Sequence, residues 1–282
     1  MILARALGPA CQRAGDCPHL LRAARAVVGR EVGKFLRQPA RLASALVRPL
    51  LWLMVFAAGW HGMSGAAIVP PYESPVDYKV YLVPGLLGMI ALFNGMQSSL
   101  SLVYDREMGM MRLLLTAPLH RAWLLAFKLL ASTVLSLLQM LAFVVVAAAS
   151  GVVFEPLRLL AALPVMLLAA ALLAAIGLLL SVYVRQLENF AGAMNFVIFP
   201  LFFCSSALYP LRRFEEAGAG VLHALARVNP FTHAVESIRY ALCGQWNVSG
   251  LLVLGLGLAV CFLLSLRGYD PQNGWIRQRG AA

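Results

Sequence analysis

LLAALPVMLLAAALLAAIGLLLSVYV, residues 159–184, runs for 26 residues without a charge, between Arg158 and Arg185. A helix rises about 1.5 Å per residue, so this run exceeds the roughly 30 Å of a bilayer's hydrocarbon core. No water is available there to satisfy irregular backbone, so the segment reads as a membrane-spanning helix. Five further uncharged runs flank it: about Ala43 to Trp60 (taking in Arg48), Tyr81 to Tyr104, Leu129 to Ala149, Phe190 to Pro210 and Leu251 to Leu266. The first and last are short but mostly apolar, and end at Arg or at Gly/Ser punctuation. The expected fold class is an all-α integral membrane protein with six transmembrane helices. Composition agrees: 61% of residues are hydrophobic and 12% charged, with a mean hydropathy of +0.79, where soluble domains carry about 25% charge.

With six spans, both termini share a side with the loops after the second and fourth spans. That side holds 17 Lys and Arg: nine from Arg5 to Arg48, four from Arg106 to Lys128, Arg185, and three from Arg267 onward. The other side holds six: Lys79, Arg158, Arg212, Arg213, Arg227 and Arg239. Basic residues are retained on the cytoplasmic side, so both termini are expected in the cytoplasm. The net charge of +11 then reflects topology and anionic lipid, and no nucleic-acid partner is expected.

Residues 1–18 read as an N-terminal cytoplasmic tail, 19–268 as one transmembrane domain, and 269–282 as a C-terminal cytoplasmic tail. Residues 1–18 lack a sustained apolar core and carry Arg5, Arg13 and Asp16, unlike a cleavable signal. From His19 to Arg37, Leu21, Ala24, Val28, Val32 and Phe35 recur at helical spacing beside Arg22, Arg25, Arg30, Lys34 and Arg37. This predicts an amphipathic basic helix, lying in the inner interface or packed on a partner, and ended by Pro39.

Several chemistries are absent. The five cysteines (Cys11, Cys17, Cys204, Cys243, Cys261) show no metal-ligand spacing, and no metal site is expected. None of the six apolar runs contains Asp, Glu or Lys in its interior, as proton- or ion-coupled carriers usually require. No phosphate-binding G-x-x-x-x-G-K-[ST] loop occurs, so the chain does not hydrolyse ATP alone. His61, His223 and His233 stand at span ends or in the loop before the last span, with no H-E-x-x-H, and no catalytic residues are assigned. Asn247-Val-Ser249 fits a glycosylation acceptor only as a three-residue match.

Inside the spans the polar residues are mild. Asn94, Gln97, Ser98 and Ser101 fall on one face of the second span, and Ser132, Ser136 and Gln139 on one face of the third. Amides in hydrocarbon seek a partner helix or a wet cavity, so helix packing and a substrate path are both open.

Between spans two and three lies YDREMGMMRLLLTAPLHRAW, residues 104–123. Asp105 reads as a helix N-cap with Glu107 at that helix's positive end, Leu113 to Leu115 as an apolar ridge, and Pro118 as its stop. Such a helix offers a docking surface, or is a solvated loop. Before the last span, residues 211–250 are too long for a turn. Val221 to Ala226 reads as a short helix and Asn229-Pro230 as a break. Phe231, Val235, Ile238 and Leu242 then form an apolar stripe opposite His233, Glu236 and Arg239, with Glu236 and Arg239 placed to pair. Two short helices around a proline suit a re-entrant or interfacial hairpin.

YLVPGLLGMIALFNGMQSSLSLVYDREMGMMRLLLTAPLHRAWLLAFKLL, residues 81–130, resembles the central signature of type-2 ABC exporter permeases, the six-span subunits of drug, lipid and polysaccharide exporters. Its R-E-x-G element is Arg106, Glu107 and Gly109, and its threonine-proline element is Thr116 and Pro118 with Ala117 inserted. VNPFTHAVESIRYAL, residues 228–242, is similar to the family's outer-helix motif, and FLRQPARLASALVRPLLWLMVF, residues 35–56, to its interfacial helix and first span. One departure is Gly109-Met110-Met111-Arg112, where many relatives have Gly-Thr followed by an acidic residue.

The resemblance implies a dimer, with itself or a related permease, each copy docked on a separate ABC ATP-binding subunit. ATP and Mg would be bound there and no cofactor by this chain. It implies coupling through Asp105, Arg106, Glu107, Gly109, Arg112, Thr116 and Pro118. A path would be lined by Asn94, Gln97, Ser98, Ser101 and Gln139, with an external gate at Asn229, Pro230, Phe231, Glu236 and Arg239. The rival from another class is an ATP-independent channel or a membrane scaffold of an envelope complex.

Overall fold

The computed structural model describes residues 17–37, 39–59, 71–72, 77–107, 121–184 and 186–269, which form ten helices and no strand. They are α1 (Cys17–Leu36), α2 (Pro39–Gly59), α3 (Tyr78–Glu107), α4 (Arg121–Ala149), α5 (Pro156–Tyr183), α6 (Leu187–Phe203), α7 (Leu211–Glu216), α8 (Gly220–Val228), α9 (Pro230–Leu242) and α10 (Val248–Gly268). Among the described residues, four stretches are long and apolar enough to cross a bilayer: Tyr78–Asp105, Ala122–Ala149, Pro156–Tyr183 and Val248–Gly268. The other two expected spans are shorter apolar helices here, Ala45–Val55 within α2 and Leu187–Phe203.

The long helices extend past the uncharged runs that announced them. α4 starts eight residues before Leu129 and so takes in Lys128, while α3 runs on through Asp105 to Glu107. Asp105 is therefore inside the last turns of a helix and is not an N-cap. The fifth run departs the other way. α6 stops at Phe203, and Cys204 to Tyr209 form a non-helical turn. The six-residue α7 has no counterpart in the sequence reading.

α5 is the hub, packed against α3, α4, α9 and α10. Its buried face is rich in small residues, with Ala169, Ala170, Ala174, Ala175 and Gly177 all inward. Small residues let backbones approach in a setting where lipid competes equally for Leu. The approach is closest where α3 crosses α5: a Cβ on Gly95 would lie 2.8 Å from the Ala174 Cα, and one on Gly177 would lie 2.8 Å from the Gly95 carbonyl oxygen. Around this crossing Leu82, Leu86, Leu92, Met96, Met140, Phe143 and Phe231 are buried.

The outside is apolar as well. α10 leaves Val248, Leu252, Leu256, Val260 and Leu264 exposed, a stripe at intervals of four, and α6 exposes Phe196, Phe199 and Phe203. Apolar surface on this scale marks a membrane or partner contact. α1 packs on α4 and touches α2. It buries Phe35 and leaves Arg22, Arg25, Arg30 and Arg37 exposed, as its periodicity predicts.

Candidate functional site

Three polar features interrupt this apolar bundle. The first is a seam of amides and hydroxyls between α3 and α4. The Asn94 amide nitrogen donates to the Ser132 carbonyl at 3.1 Å and to the Ser136 hydroxyl at 2.8 Å. Gln139 Nε2 donates to Asn94 Oδ1 at 3.2 Å. Faces seen separately in the sequence thus meet, and Asn94 has each of these donors and its acceptor engaged. Such bonds average about 0.6 kcal/mol each in membrane proteins, so the seam sets register more than stability.

The same residues border a cavity of about 170 Å³, lined by Arg48, Met89, Phe93, Asn94, Gln97 and Gln139 among others. The amides that pack α4 on α3 therefore also line the cavity at Asn94 and Gln139. Gln97 is exposed at the cavity. Ser98 turns to a smaller hollow shared with Ser132 and Lys128, and Ser101 is exposed, donating to the Ser98 carbonyl at 2.8 Å. Ser98 and Ser101 do not join the amide seam. Arg48 was missed as a lining residue because the first span was read as apolar around it.

The second feature is an ion pair at the end of α3. Lys128 Nζ lies 2.7 Å from Asp105 Oδ2, both largely shielded, with side chains 19% and 28% exposed. It ties the end of α3 to the start of α4. Glu107, the last residue of α3, is exposed; Arg106 is in the same turn, with its side chain outside the described residues. Gly109, Arg112, Thr116 and Pro118 also lie outside the described residues.

The third feature is the turn after α6. Ser205, Ser206, Ala207 and Leu208 are buried, so their backbone groups need partners that no helix supplies. Side chains supply them. Tyr81 Oη donates to the Ser206 carbonyl at 2.9 Å, Tyr78 Oη to the Leu208 carbonyl at 2.8 Å, and Asn229 Nδ2 to the Cys204 and Leu201 carbonyls at 2.6 and 2.8 Å. Gly85 lets α3 lie flat on this turn; a Cβ there would collide with the Ala207 carbonyl oxygen.

The helix before the last span completes this arrangement. Asn229 caps α9, its Oδ1 accepting from the Phe231 N–H at 2.9 Å, and Pro230 occupies the first turn, where no N–H is needed. Phe231, Val235, Ile238 and Leu242 are buried as the stripe predicts. The opposite face is not uniformly exposed. Arg239 is 0% exposed and is the largest fully buried side chain among the described residues. It pairs with Glu236, donates from Nη2 to the Ser206 carbonyl at 3.0 Å and lies over the Tyr81 ring. Its planar fork serves all three at once, which a lysine could not do. Tyr72 is close by, and burial pushes its phenol up to about 12 against the opposing pull of the Arg239 charge. His233 accepts from or donates to nothing in this cluster; its Nε2 lies 3.0 Å from the Arg227 carbonyl.

The cavity between α2, α3 and α4 presents amides and a guanidinium to a polar group.

Comparison with known proteins places this arrangement. A family model described as ABC-2 type transporter matches residues 22–243, most of the described bundle. Three algal proteins, each named "Putative transport permease ycf38", are similar along most of their length. That of Porphyra purpurea is 29% identical, covering 82% of this chain and 79% of its own. That of Pyropia yezoensis is 28% identical over 88% and 85%. That of Cyanophora paradoxa is 26% identical over 83% and 81%. The apolar helices and a family match over more than half the sequence converge: the chain belongs to the ABC-2 type transporter family, as a multi-pass membrane permease.

Proposed function

We propose that this permease is the membrane-spanning subunit of an ATP-driven exporter, working as a dimer on separate ATP-binding subunits that carry the ATP and Mg. The observation that best supports the reading is the amide-lined cavity set in a bundle whose α3 and α4 are bridged by the Asp105–Lys128 ion pair. A permease without a nucleotide site needs force from elsewhere, and only contacts that differ between two states can move their equilibrium. The segment from Asp105 to Pro118 would receive that force, with Arg106, Glu107, Gly109, Arg112 and Thr116 against the ATPase. Asp105 contributes through Lys128.

On this reading α2 and α6 also cross the bilayer. This makes six spans, with both termini in the cytoplasm of a bacterial plasma membrane and α1 in the inner interface. Asn94, Gln97, Ser98, Ser101 and Gln139 wet the path. α8 and α9 form an external hairpin whose gate is Asn229, Pro230, Phe231, Glu236 and Arg239. Drugs, lipids and lipid-linked sugars all suit an apolar path with scattered amides.

The test is to replace Glu107 and Arg112 with alanine and follow export and ATP hydrolysis by the assembled complex. Hydrolysis uncoupled from export, with membrane insertion intact, is expected; unchanged export removes the coupling role.

A further inference from the structure

The cavity between α2, α3 and α4 has donors to spare and no acidic group. Arg48 contributes a guanidinium with five N–H groups, and among the described residues no carboxylate pairs with it. The Gln97 amide is exposed at the same cavity with no hydrogen-bond partner among the described residues. Asn94 and Gln139 are engaged with each other, and they hold the far wall in place. Met89 and Phe93 supply apolar wall beside the donors.

Position makes the unpaired charge informative. Arg48 is nine residues into α2, about 13 Å along its axis. It stands three residues into the apolar stretch Ala45–Val55 and is exposed, a place from which an arginine ordinarily snorkels along its own helix toward the interface. This one instead reaches sideways, with its guanidinium carbon 4.0 Å from the centroid of the Phe93 ring on α3. The cation–π contact keeps the charge at the cavity, and among the described residues nothing accepts from its in-plane N–H groups. Pro49, the next residue, lies inside α2 and cannot donate to the Ala45 carbonyl, so the helix is locally open beside the cavity.

We propose that this cavity binds the anionic headgroup, phosphate or carboxylate, of an amphiphile, with Arg48 reading the charge and Gln97 assisting at the rim. The cavity's 170 Å³ is the space of about six waters, enough for a headgroup and too small for the chain. The chain would lie along Met89, Phe93 and the exposed flank of α2 at Leu51, Met54 and Val55. A fixed positive charge selects against cationic and neutral amphiphiles, which the amides alone would not do. The proposal deepens the reading of Asn94, Gln97 and Gln139 as path residues, but its measurement needs no ATPase. Loss of binding and loss of coupling are therefore told apart.

The full chain, purified in dodecyl maltoside, is titrated with dodecyl phosphate by calorimetry, with inorganic phosphate and dodecylphosphocholine as parallel arms. Dodecyl phosphate is expected to bind about tenfold more tightly to the wild type than to Arg48→Gln, the scale of losing charge-assisted hydrogen bonds. Arg48→Lys should keep most of the affinity and Gln97→Leu should lose about two- to threefold, the scale of one neutral hydrogen bond, so these two carry the test if Arg48→Gln does not fold. Dodecylphosphocholine should bind weakly and equally to all variants. Equal affinity of wild type and Arg48→Gln for dodecyl phosphate overturns the proposal. So does inorganic phosphate binding as tightly as dodecyl phosphate, which would leave an anion site with no use for a chain.

Discussion

The guanidinium carbon of Arg239 lies 4.0 Å from the centroid of the Tyr81 ring, joining α9 to the start of α3 across 158 positions of sequence. The same side chains converge on one carbonyl: Tyr81 and Arg239 both donate to Ser206. A buried turn, a long helix and a short one are thus held by a single polar cluster.

Removing the arginine should be costly. Arg239→Met leaves Glu236 without its partner and takes one donor from the Ser206 carbonyl. A loss of about 3–5 kcal/mol is expected, the range for orphaning one member of a buried pair, read as a fall in Tm of the detergent-solubilised chain. The double variant Arg239→Met with Glu236→Gln should recover part of it, because the orphaned charge is gone. A double variant less stable than Arg239→Met would contradict this account of the cluster.

Much of this architecture was legible from spacing and some of it was not. Phe231, Val235, Ile238 and Leu242 announce α9 because helical periodicity is local. The burial of Arg239 is not local: its partner Ser206 is 33 residues away and Tyr81 158, so the sequence pattern places it on an ordinary polar face. The end of α6 was hidden for a related reason. Cys204 to Tyr209 carry no charge, and the Tyr78 and Tyr81 hydroxyls, the Asn229 amide and the Arg239 guanidinium, all distant in sequence, make a turn tolerable there. The amides of the cavity were visible as two faces, but Arg48 was absorbed into an apolar span.

Between α3 and α4, the Asp105–Lys128 pair should show coupling in a double-mutant cycle. Asp105→Asn and Lys128→Met together are expected to cost about 1 kcal/mol less than the sum of the single changes, the upper end for incompletely buried pairs. Thermal unfolding of the four proteins at fixed salt measures it. Strict additivity would mean that the pair does not tie the helices.

Two glycine substitutions should move stability in opposite directions. At Gly95 a Cβ would press on the Ala174 backbone at 2.8 Å, so Gly95→Ala is expected to destabilise by about 1–3 kcal/mol through overpacking. At Gly29, within α1, a Cβ meets nothing within 4 Å. There Gly29→Ala should stabilise by about 0.5–1 kcal/mol by restricting the unfolded chain. Urea or thermal unfolding of both variants checks the sign of each. A stabilised Gly95→Ala would contradict the close α3–α5 crossing.

The seam can be separated from the path by Ser136→Ala. It removes one of Asn94's two acceptors at 2.8 Å without changing the lining of the cavity, and should cost about 0.6 kcal/mol. Solute-stimulated ATP hydrolysis of the complex should then stay within about twofold. Asn94→Leu, which alters seam and lining together, should lower that stimulation at least tenfold. Equal effects of the two changes would leave the seam as packing alone.

The central claim is that the chain moves solute only with force borrowed through the segment from Asp105 to Pro118. Affinity purification of the tagged chain in mild detergent, followed by an ATP-hydrolysis assay of what it retains, tests this most directly. The account predicts that wild type brings down an ATP-hydrolysing subunit, and that the Glu107→Ala, Arg112→Ala double variant loses its solute-stimulated hydrolysis. Hydrolysis by the chain alone, or solute moved uphill by a preparation containing no nucleotide-binding protein, would contradict it.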